Sequence, residues 1–327
     1  MSVRGITAAG GREGRTACPR KVVGGDGTAN SAGGIAVGRS TVSVPILGSP
    51  PPRPLSRELL LLLAAVSCSL NPAAPVAPAP RFAPNAQARL AASRASVCPA
   101  RMNLVAGGKF WMGSDDGYDD ELPLVIREID GFCMDETEVT VEAHKRCVDG
   151  GGCSPTDASE GCNVTKAGAG NHPINCVSWK EAVAYCKWAG KRLPTETEWE
   201  YAARGGAEQR LYPWGSDPPD ASSACWNRWW GRLGTCRVGS FPAGAFGLKD
   251  MAGNVSEWVQ DWWAKSYRRS ATKDYAGPLI GSYRVFRGGG WEVVDPLGLR
   301  GARRGSISPE VSPEYFGIRC AKALSSV

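Results

Sequence analysis

The most reactive side chains in this sequence are its cysteines. Ten of the twelve lie after residue 97, and no two of them form a Cys-x-x-Cys pair. Paired thiolates can bind a soft metal ion or exchange disulfides, whereas an even number of irregularly spaced cysteines is typical of structural disulfides in an oxidising compartment. Only two histidines accompany them, which excludes a His-rich catalytic metal centre. The sequence therefore predicts a structural role for these ten cysteines.

Composition and charge narrow the class of protein further. The 327 residues include 41 Gly, 24 Pro and 12 Trp, which favours a loop-rich fold in which aromatic side chains supply much of the buried area. The net charge of +6 comes from residues 1–97, with 11 basic and 3 acidic side chains. Residues 98–327 carry 27 basic and 29 acidic side chains, so we expect no nucleic-acid partner.

Residues 53–68 have the pattern of a signal peptide. Basic residues precede the apolar run 59–66, which is too short to span a bilayer as a helix. The run ends in Ala-Val-Ser-Cys, which resembles a bacterial lipobox with Cys68 as the lipidated residue. Ala65 stands where a lipobox usually has Leu, so a plain secretory signal cleaved nearby is the alternative. Either reading predicts export, as an outer-membrane or cell-envelope lipoprotein or as a secreted or periplasmic protein.

The segments around this signal differ in composition from the rest of the chain. Residues 1–52 are rich in Gly, Arg and Ser, and we interpret them as a disordered extension or a mis-assigned start. Residues 69–97 are rich in Pro and Ala, which predicts an extended linker. Residues 98–325 have the mixed patterning of one folded domain.

Local patterns within 98–325 predict an α+β domain. The segment MNLVAGGKFWMGS, starting at Met102, has strand-like apolar residues interrupted by a Gly-Gly turn. Ser178 and Glu181 form a capping box, followed by apolar residues at helical spacing. Thr195 and Glu198 repeat the same device. Two short helices among strands and long loops indicate the α+β class.

Five ordered motifs carry a resemblance to a known family. They are HPINCVSWKEAVAYCKWAGKRLPTETEWEYAARGG (172–206), YPWG (212–215), FGLKDMAGNVSEWVQDWW (246–263), FRGGGW (286–291) and FGIRCA (316–321). Together they closely resemble the formylglycine-generating enzyme, or sulfatase-modifying factor, family, from about Met102 to Ala323. The resemblance implies an irregular, loop-rich C-type-lectin-like fold held together by disulfides. It also implies a disulfide between Cys186 and Cys320.

The other eight cysteines are less constrained. Short sequence separations suggest three local pairs, and a fourth pair follows by elimination, although the sequence alone leaves the connectivity open. The suggested pairs are Cys147 with Cys153, Cys225 with Cys236, Cys162 with Cys176, and Cys98 with Cys133.

The resemblance places the family's catalytic positions on residues that lack its chemistry. The best-known members oxidise a sulfatase cysteine to formylglycine, with oxygen and a copper ion bound by two thiolates, ligands that suit soft copper(I). These thiolate positions fall here on Val293 and Gly298, the serine of the site is Gly290, and a common Trp is Ser256. We therefore expect neither copper binding nor formylglycine formation.

A retained scaffold without the thiolates indicates a non-catalytic binding module in the cell envelope. We expect a pocket lined by Gly290, Trp291, Ser256, Arg300 and Arg303, with a peptide, a glycan or an envelope protein as ligand and membrane contact only through a lipid anchor. The two arginines would either grip an anionic ligand or join loops to carboxylates. The alternative is an oxidoreductase that modifies protein side chains, by formylglycine formation or a related oxidation.

The resemblance also implies a structural calcium site at the GNxxEW turn. The matching ligands are Asp250, Gly253, Val255 and Glu257, with main-chain carbonyls from the second and third. Hard oxygen ligands at this spacing can surround calcium if the chain turns tightly. The alternative is a turn that carries ordinary surface carboxylates.

Overall fold

The computed structural model describes residues 97–269 and 273–324. The extension 1–52, the signal 53–68 with Cys68, and the linker up to residue 96 lie outside the described residues. The chain divides into a unit ending at Pro75 and a unit from Val76 to Val327, and the described residues all belong to the second. No helix within the described part is long and apolar enough to cross a membrane.

Within the described ranges, nine short strands form three small sheets. Strands β1 (Met102–Val105), β4 (Phe132–Asp135) and β9 (Ala321–Ala323) form an antiparallel sheet in the order β1-β4-β9. Strands β2 (Gly108–Met112) and β3 (Val125–Ile129) pair antiparallel as a separate ribbon. The two strands predicted within MNLVAGGKFWMGS are thus confirmed, although they belong to different sheets.

The third sheet is formed by strands from the part of the chain that carries the family motifs. Its order is β7-β6-β5-β8, formed by β5 (Ser256–Trp262), β6 (Arg284–Arg287), β7 (Arg304–Ile307) and β8 (Phe316–Gly317). The β5–β8 pair is parallel, and the other pairs are antiparallel. The long connection from β6 to β7 carries the residues that match the family's catalytic block.

Three α-helices of the described part accompany the sheets, and their ends follow local sequence signals. Helix α1 (Val141–Asp149) begins after Thr140, whose hydroxyl accepts the Ala143 amide. Helices α2 (Trp179–Trp188) and α3 (Glu196–Ala203) both begin with the capping boxes expected from the sequence. All eight residues of α3 are buried, three glutamates among them, so this helix lies inside the domain.

In the part of the chain that the structure describes, five disulfides join loops to these elements. The pair implied by the family resemblance, Cys186–Cys320, joins α2 to the chain just before β9. The four suggested pairs are also present: Cys98–Cys133, Cys147–Cys153, Cys162–Cys176 and Cys225–Cys236. The described part is therefore an α+β, disulfide-stapled fold.

Candidate functional site

The connection between β6 and β7 lines a cavity of about 200 Å³. Its walls include Val293 and Gly298, the residues expected at the family's thiolate positions. They also include Ser256 of β5 and, from the connection itself, Gly289, Glu292 and Arg303. We call it the Glu292 cavity. The motif alignment thus brought together residues that are neighbours in space.

The two thiolate positions face each other across a very short distance. A Cβ atom added to Gly298 would lie 2.7 Å from Cγ1 of Val293, closer than two carbons can approach. The valine side chain therefore fills the space beside Gly298. These two residues offer no sulfur, and their side chains cannot coordinate a metal ion.

No other cysteine within 97–269 and 273–324 is free to replace them. The ten cysteines in these ranges all form the five disulfides described above. A thiolate copper site therefore does not fit the residues present in this part of the chain.

A carboxyl with a buried oxygen lines the cavity. Oε2 of Glu292 is inaccessible to solvent and has no hydrogen-bond partner among the described residues. Burial raises the pKa of Glu292 to about 7, so the carboxyl exchanges its proton near neutral pH. A Cβ at Gly290 would lie 2.3 Å from this oxygen. Glycine in place of the family's serine thus leaves room for the carboxyl.

Two arginines of the cavity wall are already neutralised by helix α3. Arg304 makes two hydrogen bonds to Glu196, at 2.7 and 2.8 Å, and Arg287 pairs with Glu200. Burial alone would raise the pKa of Glu200, but the Arg287 and Arg204 cations hold it below its ordinary value. Buried pairs of this kind fix the wall of the cavity and are not available to a ligand.

The two arginines predicted to line the pocket have different positions. Arg300 is buried and bonds Glu121 at 2.5 Å, so it joins two loops, and it lines a separate cavity of about 660 Å³. Arg303 does line the Glu292 cavity, with its guanidinium 4.3 Å from the Tyr118 ring centre and 3.6 Å from an Asp120 oxygen. Arg300 therefore joins two loops, as one of its two alternatives expects, and lines a cavity other than the Glu292 cavity.

Trp291 and Gly290 directly precede Glu292 in the chain but lie outside the lining of the Glu292 cavity. Trp291 is buried and stacks on Trp229 with ring centres 5.8 Å apart. The tryptophan supports the loop that follows residue 225, because its carbonyl accepts the Arg228 amide at 2.9 Å. Ser256 lies where expected, and its hydroxyl oxygen is buried without a hydrogen-bond partner among the described residues.

The predicted calcium ligands lie on a tight turn with positive φ at Asp250 (+57°) and Gly253 (+82°). Oδ1 of Asp250 is buried without a partner, while Glu257 is held by Arg319 at 2.8–3.0 Å. Both carboxylates are buried, so the surface-carboxylate alternative is wrong. Nearby Glu138 has two buried oxygens without partners, and burial, followed by the charge of Asp250, raises its pKa well above the ordinary value.

An ion at this turn would bind carboxylate oxygens that have no hydrogen-bond partner among the described residues. Asp250 and the carbonyls of Gly253 and Val255 fit a hard cation, whereas Glu257 would have to share its oxygens with an arginine. No group of three or more His, Cys, Asp or Glu side chains in the described ranges is arranged to hold a metal ion.

Sequence reasoning missed Glu292, the residue with the most unusual environment in the cavity. The available signal was a glutamate two residues after Gly290, in a block where the family has serine. It also missed Tyr118, which comes from a loop more than a hundred residues away and lines the same cavity.

The motifs and the fold point to one protein family, and comparison with known proteins gives the same family. The family model of the sulfatase-modifying factor enzyme 1-like domain matches residues 87–324 of this chain. The chain belongs to this family, which includes the formylglycine-generating enzymes. The matched range overlaps the domain expected over 98–325.

Individual relatives carry several different names. The mouse formylglycine-generating enzyme is 32% identical over 278 residues, which covers 68% of this chain and 74% of that protein. The Streptomyces coelicolor formylglycine-generating enzyme is 44% identical over 177 residues, or 50% of this chain and 56% of that protein. The serine/threonine-protein kinase pkn1 of Chlamydia caviae is 36% identical over 243 residues, or 68% of this chain and 38% of that protein.

The fold also matches a solved structure. PvdO from Pseudomonas aeruginosa superposes with a TM-score of 0.59 at 28% identity, over 68% of this chain and 94% of that chain. Because relatives of this family carry unrelated names, membership fixes the fold, while the chemistry has to be argued from the site.

Proposed function

We propose that this protein uses the family's scaffold as a binding module and does not generate formylglycine. The observation that carries the proposal is the replacement of both thiolate positions by Val293 and Gly298, which pack against each other in the wall of the cavity. Copper-dependent oxidation of a cysteine needs both sulfurs, and neither side chain supplies one.

The Glu292 cavity is the proposed binding site. Its volume of about 200 Å³ suits one inserted side chain or sugar substituent rather than a whole small-molecule ligand. Buried polar atoms of Glu292 and Ser256 lack partners, so a ligand with hydrogen-bonding groups would satisfy them. We therefore propose a peptide, a glycan or a segment of an envelope protein as the ligand.

An oxidoreductase that modifies protein side chains is the second candidate. It is favoured by Glu292, because a buried carboxyl with a pKa of about 7 suits proton transfer. Metal analysis of the purified protein separates the two candidates. Stoichiometric copper or iron would favour the enzyme, and calcium alone would favour the module.

Calcium is the proposed structural cofactor. Asp250 and the Gly253 and Val255 carbonyls would hold the ion, and the orphaned carboxylate oxygens at this turn support the assignment. When bound, calcium would neutralise buried acidic charge and fix the turn before β5.

We also propose that the protein is exported, with Cys68 as its lipidated residue. Five disulfides in the described domain are typical of an oxidising compartment. Fatty-acid labelling of the cell-expressed protein tests this. We expect label in the wild type and none in Cys68→Ala. A wild-type protein without label would instead indicate the plain secretory signal. Peptides from residues 5–40 in the native protein would overturn the interpretation of 1–52 as a mis-assigned start.

A further inference from the structure

The loop closed by the Cys225–Cys236 disulfide presents large apolar side chains to solvent. Trp230 is 82% exposed and Leu233 is 63% exposed. Main-chain hydrogen bonds from Arg232 to Trp229 (3.0 Å) and from Leu233 to Arg228 (3.2 Å) form a turn with Trp230 near its tip. Exposing a tryptophan and a leucine on one turn is costly in water unless a partner covers them.

Several contacts fix this exposed conformation. Arg228 Nε donates to the Gly234 carbonyl at 2.7 Å, and Trp229 stacks on the buried Trp291. The Asn227 amide donates to the Val293 carbonyl at 2.8 Å. The turn is therefore braced from inside, and its apolar side chains are presented in advance of any partner.

The same loop borders a basic pocket of about 340 Å³. Leu233 forms part of its rim, together with Lys166, His172, Thr235 and Arg237, and none of the lining residues is acidic. Lys166 and Arg237 form no salt bridge within the described ranges. Burial, together with the Arg237 and Lys166 charges, lowers the pKa of His172, which shows that positive potential converges there.

The charge of this face is opposite to that of the domain around it. Residues 225–237 contain three arginines and no acidic residue, whereas residues 98–327 as a whole have more acidic than basic side chains. A cluster of cations beside exposed tryptophan and leucine is the combination that a membrane surface with anionic lipids attracts.

We propose that this basic-aromatic face, made of Lys166, Trp230, Arg232, Leu233 and Arg237, docks on a bilayer containing anionic phospholipid. The anionic headgroup enters the pocket between Lys166 and Arg237, and Trp230 and Leu233 enter the interfacial layer. A charged glycan would use the cations and the rings but leave the leucine in water, so the lipid surface fits the observations better. This inference is independent of what the Glu292 cavity binds.

Sedimentation of the full-length Cys68→Ala protein, which cannot carry the proposed acyl anchor, with vesicles tests the proposal. We expect binding to vesicles of phosphatidylcholine with phosphatidylglycerol, and much weaker binding to phosphatidylcholine alone. Because each cation contributes roughly fivefold to the partition coefficient, Lys166→Gln with Arg237→Gln should weaken binding roughly 30-fold. Trp230→Ser with Leu233→Ser removes the inserted apolar groups and should weaken it roughly tenfold or more.

The matched control replaces a cation and a tryptophan on another surface. Lys187 is exposed and Trp188 is 44% exposed at the end of α2. Lys187→Gln with Trp188→Phe should leave vesicle binding unchanged. Every protein in the assay carries Cys68→Ala, so no acyl group at this position can anchor it to either vesicle type.

Three results would overturn the proposal. They are equal sedimentation with both vesicle types, wild-type binding by both face variants, and binding to heparin without binding to the anionic vesicles. The last result would assign the face to an anionic glycan.

Discussion

Replacing Glu292 by glutamine should remove a pH-dependent loss of stability. Burial raises the pKa of this carboxyl from its ordinary 4.5 to about 7. Between these values the folded chain binds more protons than the unfolded chain, so the free energy of unfolding falls as the pH rises. The shift corresponds to about 3 kcal/mol, fully present as stability below pH 4.5 and lost as the pH rises through about 7.

Glutamine has the same shape and cannot ionise, so it keeps the protonated carboxyl's packing at every pH. Glu292→Gln should therefore match the wild type at about pH 4.5 and exceed it by about 3 kcal/mol at about pH 8. Urea denaturation followed by tryptophan fluorescence across this range measures the difference. Glu160→Gln, at an exposed position, is the control and should follow the wild type throughout.

Parallel stability curves for the wild type and Glu292→Gln would refute the reasoning. They would show that the carboxyl is either ionised or hydrated in the folded protein at neutral pH. The cavity would then lack the titratable group on which the second candidate function depends.

Three further outcomes follow from the structure. Removing the Cys186–Cys320 disulfide, which spans 134 residues, should destabilise the protein by about 5 kcal/mol in the chain-entropy model. Removing Cys147–Cys153, which spans 6 residues, should cost about 2 kcal/mol. Equal losses of stability in urea denaturation would contradict this. Arg319→Met leaves the buried carboxylate of Glu257 without its cation and should lower the free energy of unfolding by about 3–5 kcal/mol in the same assay. A loss of stability near zero would contradict the Arg319–Glu257 pairing. Calcium chelation should lower the melting temperature reversibly, and an unchanged midpoint on adding calcium back would contradict a calcium site.

The parts of the fold that the sequence predicted depend on local chemistry. The capping boxes at Ser178 and Thr195 each involve residues only three positions apart, so their geometry could be read from the spacing. The short-range disulfides follow the same logic. The assignment of Val293 and Gly298 to the family's thiolate positions rests on the aligned motifs on both sides and stays a prediction.

The parts that the sequence did not predict depend on contacts between distant segments. Helix α3 carries three glutamates, a residue type that is seldom fully buried. Glu196 and Glu200 are nevertheless buried because Arg304 and Arg287 reach them from strands about a hundred residues later. Arg300 likewise bonds a carboxylate from a distant segment, Glu121 in the loop before β3, and does not line the Glu292 cavity. Spacing along one element cannot reveal such pairings.

The most direct test of the central claim is the reaction itself. A peptide containing Cys-x-Pro-x-Arg is incubated with the copper-treated protein and oxygen, and its mass is then measured. The retained scaffold with Val293 and Gly298 at the thiolate positions predicts an unmodified cysteine. Aldehyde in place of the thiol would contradict it and would establish this chain as an active formylglycine-generating enzyme.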